Sequence, residues 1–120
     1  MEIGCSGGSD AIEYGKYCSK YIGIDISDEA IKLAKSRNIA NCEFICTDGH
    51  NLPFEEESFD FVIVNSLLHH LDLGSTFVEI NRVLKPKGKL IFREPLGTNP
   101  LFQIYRFFTP TARADDERPF

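Results

Sequence analysis

Hydrophobic and polar positions along this chain follow two periods in turn. Short apolar runs alternate with stretches whose apolar residues recur every three to four positions. The run Tyr21-Ile22-Gly23-Ile24-Asp25-Ile26 is apolar on both parities, which predicts a strand covered on both faces. Phe61-Val62-Ile63-Val64, inside 59–65, predicts another. Asn41–Thr47 and Lys89–Arg93 read as further strands, and Glu2–Gly4 as the tail of one that meets the start of the chain. Between them lie helical patterns. Asp10–Tyr17 is a short helix, and Ser27 caps a second in which Asp28 and Glu29 suit the first turn and Ala30, Ile31 and Ala34 form the apolar face. A third, Leu73–Leu84, turns Phe77, Ile80 and Leu84 inward, and Pro86 and Gly88 then turn the chain. Pro100–Phe108 repeats the helical period through Leu101, Ile104, Tyr105 and Phe108 before Thr109-Pro110 stops it, and the charged tail 112–118 reads as loose. Strand and helix in alternation predict an α/β domain with a mostly parallel sheet and flanking helices.

Composition narrows the class. With 120 residues, 42% hydrophobic and 26% charged, the chain matches one small globular domain. A net charge of -5 weighs against a nucleic-acid partner, and Lys85-Pro86-Lys87-Gly88-Lys89 reads as a helix-to-strand turn rather than a phosphate-binding patch. No apolar run approaches the roughly 20 residues that span a bilayer, so stable membrane insertion is not expected. No secretory pattern opens the chain, and a cytoplasmic location is the default expectation. Cys5, Cys18, Cys42 and Cys46 form no C-x-x-C pair and stand at no zinc-finger spacing from histidine; they read as free structural thiols, with no metal implied.

The candidate chemistry begins at Glu2-Ile3-Gly4-Cys5-Ser6-Gly7-Gly8. A strand that ends in Gly-x-x-x-Gly and enters a helix turns backbone N–H groups toward a ligand. A plain tight turn is the competing reading. Two acids weigh against it. Asp25 follows Glu2 by 23 residues at the end of the second strand, and Asp48 follows Asp25 by 23 at the end of the third. Ligands of open parallel sheets bind outside the carboxyl ends of the strands. There Asp25 can accept from ribose hydroxyls. Asp48, followed by the small Gly49, can accept from an exocyclic amine.

These motifs resemble those of the class I S-adenosylmethionine-dependent methyltransferases. The family's acid-x-Gly-x-Gly-x-Gly is met at Glu2–Gly8, with Ser6 in place of the middle glycine. Gly23-Ile24-Asp25-Ile26-Ser27 and Cys46-Thr47-Asp48-Gly49-His50-Asn51-Leu52-Pro53-Phe54 match the second and third motifs. Ser58–Val62, Asn65–Leu71 and Arg82–Lys89 are similar to the fourth strand, the loop after it and the entry to the fifth. The resemblance covers about residues 2–95, taken as a cofactor-binding core of 1–95, with 96–120 as an apolar helix and tail.

What the resemblance implies is specific about the cofactor. Gly4, Cys5, Ser6, Gly7 and Gly8 would face the methionine part and ribose, and Glu2 would lie near the methionine amino group. Asp25 would hold the ribose hydroxyls, with Ile26 against the adenine. Asp48 would take the adenine amine beside the Gly49–His50 backbone, and Asn65 would close over the cofactor near the sulfonium. The implied fold is Rossmann-like, about five strands that lack the last two of the family fold, so the chain reads as a shortened member. The sulfonium carries the reactive chemistry, and no nucleophilic triad or metal is expected. His69 and His70 follow the fourth strand; His70 could serve as general base, or the pair could belong to the loop's packing.

The expected activity is methyl transfer to a small-molecule or lipid-like acceptor, for which the apolar face of 100–108 would suit a wall; the competing reading of 100–108 is a core helix whose partners lie on the missing strands. The alternative is a non-catalytic fragment acting as a cofactor-binding or interaction module. An open sheet edge or the 100–108 helix would offer a surface for self-association. A nicotinamide fingerprint fails, since Ser6 and Ser9 stand where its second and third glycines belong.

Overall fold

The computed structural model describes residues 1–65 and 73–93. The predicted segment Pro100–Phe108, the charged tail and the loop 66–72, including His69 and His70, lie outside the described residues.

Five parallel strands form one sheet. They are β1 (Glu2–Ile3), β2 (Tyr21–Asp25), β3 (Cys42–Cys46), β4 (Phe59–Asn65) and β5 (Leu84–Arg93), in the order β3-β2-β1-β4-β5. Three helices connect them: α1 (Ser9–Tyr14), continued by a 3-10 turn at Gly15–Tyr17, α2 (Asp28–Ser36) and α3 (Leu73–Val83). The order reverses at β1, which pairs with β2 through Glu2↔Gly23 and with β4 through Glu2↔Ile63. The shortest strand is therefore the central one. Backbone bonds extend its reach: Ile63 N donates to Met1 O (2.8 Å), and Gly4 N and Cys5 N both donate to Ile24 O (2.9 and 3.0 Å).

The sheet is covered on two faces by different helices. Ile3, Ile22, Ile24, Val62 and Val64 pack against Ile80 and Val83 of α3. On the opposite face, Cys5, Tyr21 and Phe44 pack with Ala11 of α1 and Ile31 and Ala34 of α2. Strand β2 contributes to both, which is why it carries no polar alternation. Helix α2 starts where the sequence places its cap, with Ser27 Oγ accepting from Ala30 N at 3.2 Å.

Two boundaries differ from expectation. The third helix stops at Val83, so its buried stripe is Thr76, Ile80 and Val83, and Leu84 belongs to β5. Strand β5 also takes in the segment expected to turn. Its register steps from Phe59↔Leu84 to Phe61↔Lys89, so three extra residues bulge between two ladder positions. Pro86 has no N–H to give the ladder there. A Cβ on Gly88 would stand 2.9 Å from Lys85 O and 3.1 Å from Phe59 O, so only glycine fits.

Candidate functional site

Because all strands run parallel, their carboxyl ends share one edge of the sheet. Along that edge the strand order sets out Asp48 after β3, Asp25 at the end of β2, the loop 4–8 after β1, Asn65 at the end of β4 and Arg93 at the end of β5. Residues far apart in sequence thereby form a single row.

The loop is fixed by left-handed backbone at Gly4 (φ 79°), Ser6 (φ 47°) and Gly8 (φ 78°). Ser6 stands where the family motif has glycine, at a cost of about 1–2 kcal/mol for a side chain in this region. Its N–H donates to Asp25 Oδ2 at 2.9 Å, which ties the loop to β2. A Cβ on Gly8 would meet Ala34 Cβ at 3.0 Å and Phe44 Cζ at 3.1 Å, and one on Gly7 would meet Leu33 Cδ2 at 2.8 Å. These two glycines let the loop pack against α2 and β3. Cys5, Gly7 and Gly8 are buried, while Ser6 is exposed and Gly4 half-buried. Burial pushes the Cys5 thiol up to about 12, so it stays protonated and serves as packing.

The two acids sit as the spacing predicts. Asp25 is half-buried; its Oδ1 accepts from Ser27 N (2.9 Å) and its Oδ2 from Ser6 N, so each oxygen keeps a further lone pair for a hydroxyl. Ile26 beside it is 76% exposed, a flat apolar surface at the strand end. Asp48 Oδ1 accepts from His50 N (2.9 Å) and lies 2.5 Å from His50 Nδ1. These bonds to His50 hold the Asp48 carboxyl below the usual carboxylate range. Gly49 is buried against Ile3, where a Cβ would come within 3.3 Å of Cγ2.

Glu2, at the start of the loop motif, is enclosed by its neighbours. It is 1% exposed, and both oxygens are engaged inside the protein. Tyr21 Oη donates to Oε2 at 2.5 Å, and Asn65 Nδ2 donates to Oε1. Burial, with Asp10 nearby, pushes its carboxyl above the ordinary value. Glu2 supports the site from beneath. Asn65 Nδ2 also donates to Asp10 Oδ2 (2.8 Å), and Arg93 Nη1 donates to the same oxygen (3.1 Å) and to Tyr14 Oη (3.4 Å). Asp10, Tyr14, Tyr21 and Arg93 join this network through their side chains, and sequence reading missed them. Their sequence separations from their partners run from 19 to 83 residues, and no local motif marks them.

The family model of a methyltransferase domain matches residues 1–92. The chain belongs to the class I S-adenosylmethionine-dependent methyltransferases. It is 33% identical to the phthiotriol/phenolphthiotriol dimycocerosates methyltransferase 1 of Mycobacterium ulcerans, over 84% of this chain and 39% of that protein. It is also 33% identical to the demethylmenaquinone methyltransferase of Staphylococcus saprophyticus, over 77% of this chain and 42% of that protein. Among solved structures, the PH0226 protein of Pyrococcus horikoshii OT3 superposes with a TM-score of 0.73 at 33% identity, covering 88% of this chain and 52% of its own. The chain thus spans about two fifths of the length of the curated relatives it matches.

S-adenosylmethionine is the cofactor of this family. The groups present fit it: carboxylates with spare lone pairs at the ends of β2 and β3, the exposed apolar side chain of Ile26 next to Asp25, and a buried acceptor without a hydrogen bond, Asn65 Oδ1, further along the row. Among the described residues no group of three His, Cys, Asp or Glu could hold a metal ion, and no helix is long and apolar enough to cross a membrane.

Proposed function

We propose that this chain carries the cofactor site of a methyltransferase whose acceptor is a small or lipid-like molecule. The observation that carries the reading is the Asp25 carboxylate. It stands half-exposed at the end of β2, one strand from the point where the strand order reverses, tied to the glycine loop by Ser6 N and flanked by the exposed Ile26. Asp25 would hold the ribose hydroxyls, Ile26 would lie against the adenine, and the free oxygen of Asp48 would take the exocyclic amine. When bound, the cofactor supplies a methyl group on a sulfonium that is already a good leaving group. The chain's own task is to hold that cofactor rigidly at the sheet edge, so that an acceptor is placed in line. The lipid-like class draws on the relatives, whose names give phthiotriol and phenolphthiotriol dimycocerosates and demethylmenaquinone as what they methylate.

Calorimetric titration with S-adenosylmethionine tests the reading. The wild-type chain binds in the micromolar range, and Asp25→Asn, which keeps one acceptor oxygen for the loop, binds about tenfold or more weakly. No heat of binding to a chain that is folded by circular dichroism would overturn it, in favour of a non-catalytic module.

A further inference from the structure

The glycine loop is tied to the rest of the protein on two sides. On one, Ser6 N donates to Asp25 Oδ2 at 2.9 Å. On the other, Arg37, which closes the C-terminal end of α2, reaches a residue 30 positions earlier: its Nε donates to Gly7 O at 2.5 Å. The last turn of α2 lies directly on that glycine, since a Cβ on Gly7 would stand 2.8 Å from Leu33 Cδ2 and 3.9 Å from Arg37 Nη2. Within the loop, Gly4 N and Cys5 N donate to Ile24 O, and Gly8 N donates to Cys5 O at 2.9 Å. Gly7 N donates to no described residue, so it is the amide of 4–8 that the described residues leave for a ligand. The next peptide joins Gly7 to Gly8, two residues without a Cβ and therefore the freest pair in the loop. It is held at both ends: its N–H by Cys5 O and its carbonyl by Arg37. Without Arg37, the N–H alone would hold it.

We propose that Arg37 is a positioning residue for the cofactor. It acts through Gly7 rather than on the ligand: by fixing the Gly7 carbonyl against α2, it keeps the loop in its binding shape before the ligand arrives. This rests on the reading of the cofactor site above. A loop that is ordered in advance does not have to be ordered by its ligand, and affinity rises accordingly. The bond suits this task. Its donor belongs to a charged guanidinium, which makes it stronger than a neutral N–H on the same carbonyl. The cation also stands at the C-terminal end of a helix, where the helix dipole favours it. Arg37 itself is exposed, so replacing it leaves both core clusters intact.

Calorimetry with S-adenosylhomocysteine and amide hydrogen exchange, both on the full chain, test this together. Arg37→Met keeps an unbranched stem over Gly7 and removes the donor. It should bind the ligand about tenfold more weakly, and its Gly8 amide should exchange about tenfold faster. The amide of Val64, in β4, should exchange as in wild type. Arg37→Lys should recover most of both losses, because one donor on one carbonyl does not need the planar fork of arginine. Unchanged affinity in Arg37→Met overturns the proposal and leaves the cofactor reading standing. Weaker binding with unchanged Gly8 exchange also overturns it, since Arg37 would then act on the ligand itself. Faster exchange at Val64 as well as Gly8 would make Arg37 a residue of general stability, and overturns it too. One measurement needs no variant: in the ligand-free wild-type chain the Gly8 amide should be protected, and exchange at the unprotected rate refutes the proposal. A wild-type chain that binds no S-adenosylhomocysteine overturns both readings.

Discussion

Glu2 shows how the acid that opens a family motif can be enclosed within the protein. Its carboxylate is buried, held by the Tyr21 hydroxyl and the Asn65 amide, and lies near Asp10. Burial raises its folded-state value above that of the unfolded chain. The folded protein therefore holds this proton more tightly than the unfolded one does. The group's contribution is full below the unfolded value and is lost as pH rises through the folded one, so stability falls with pH across that window. Glu2→Gln removes the titration. Urea midpoints measured from pH 4.5 to 8 should fall less with pH in the variant than in wild type, and parallel curves would show that Glu2 does not titrate differently on folding. The residue's presence was legible in the sequence because the motif begins with an acid. Its burial was not, because that depends on Tyr21, 19 residues away, and Asn65, 63 residues away. Asp25 and Asp48 were legible in position because strand ends can be read from hydrophobic periodicity. The glycines were legible as a loop, but the packing of Gly7 and Gly8 against α2 and Phe44 is a tertiary fact.

At the scale of elements, the segment after β3 must be held still for Asp48 and Gly49 to face a ligand. Arg82 of α3 does this. Its Nη1 donates to Phe54 O (2.7 Å) and its Nη2 to Leu52 O (2.9 Å), while Nε and Nη2 grip both oxygens of Glu79 (2.8 and 2.9 Å). Glu79 Oε2 in turn accepts from Leu52 N at 2.8 Å. The pair, 29% and 16% exposed, pins a loop to a helix. Arg82→Ala leaves the Leu52 and Phe54 carbonyls without these donors and should cost about 2 kcal/mol. The cost is read as a lower urea midpoint at unchanged slope. Arg82→Lys should recover little of it, because a single ammonium cannot serve two carbonyls and a carboxylate in that plane. Full recovery with lysine would mean that charge alone holds the loop. Periodicity predicted α3 and its buried Ile80 well, since a helix repeats its face. It gave no sign of Arg82's role, because Arg82 lies half-buried beside that stripe and its partners beyond Glu79 are carbonyls, groups every residue has. The β5 bulge was hidden for a related reason: Pro86 and Gly88 mark irregular backbone, but only the partner strand decides whether that irregularity is a turn or a bulge.

For the whole molecule, the strand order converts a linear set of motifs into one binding edge, and it does so around a central strand of two residues. Much of that strand's support comes from its neighbours: β2 through Ile24 O, β4 through Ile63 N, and the α3 core through Ile3. A ligand spread along the edge would add contacts between the same elements, from β3 through β2 to β4, and would bind only when they are assembled. Ligand binding of this kind must stabilise the fold as a whole. At a free concentration 100 times Kd the gain is about 2.7 kcal/mol. For a domain of this size that corresponds to a rise in melting temperature of roughly 10 °C. S-adenosylhomocysteine should produce this shift in the wild-type chain. In Asp25→Asn, at the same concentration, a tenfold weaker Kd should leave about half of the free-energy gain. A melting temperature unmoved by saturating ligand would mean that the edge, though assembled, does not hold the cofactor. An equal shift in Asp25→Asn would place the ligand elsewhere on the sheet.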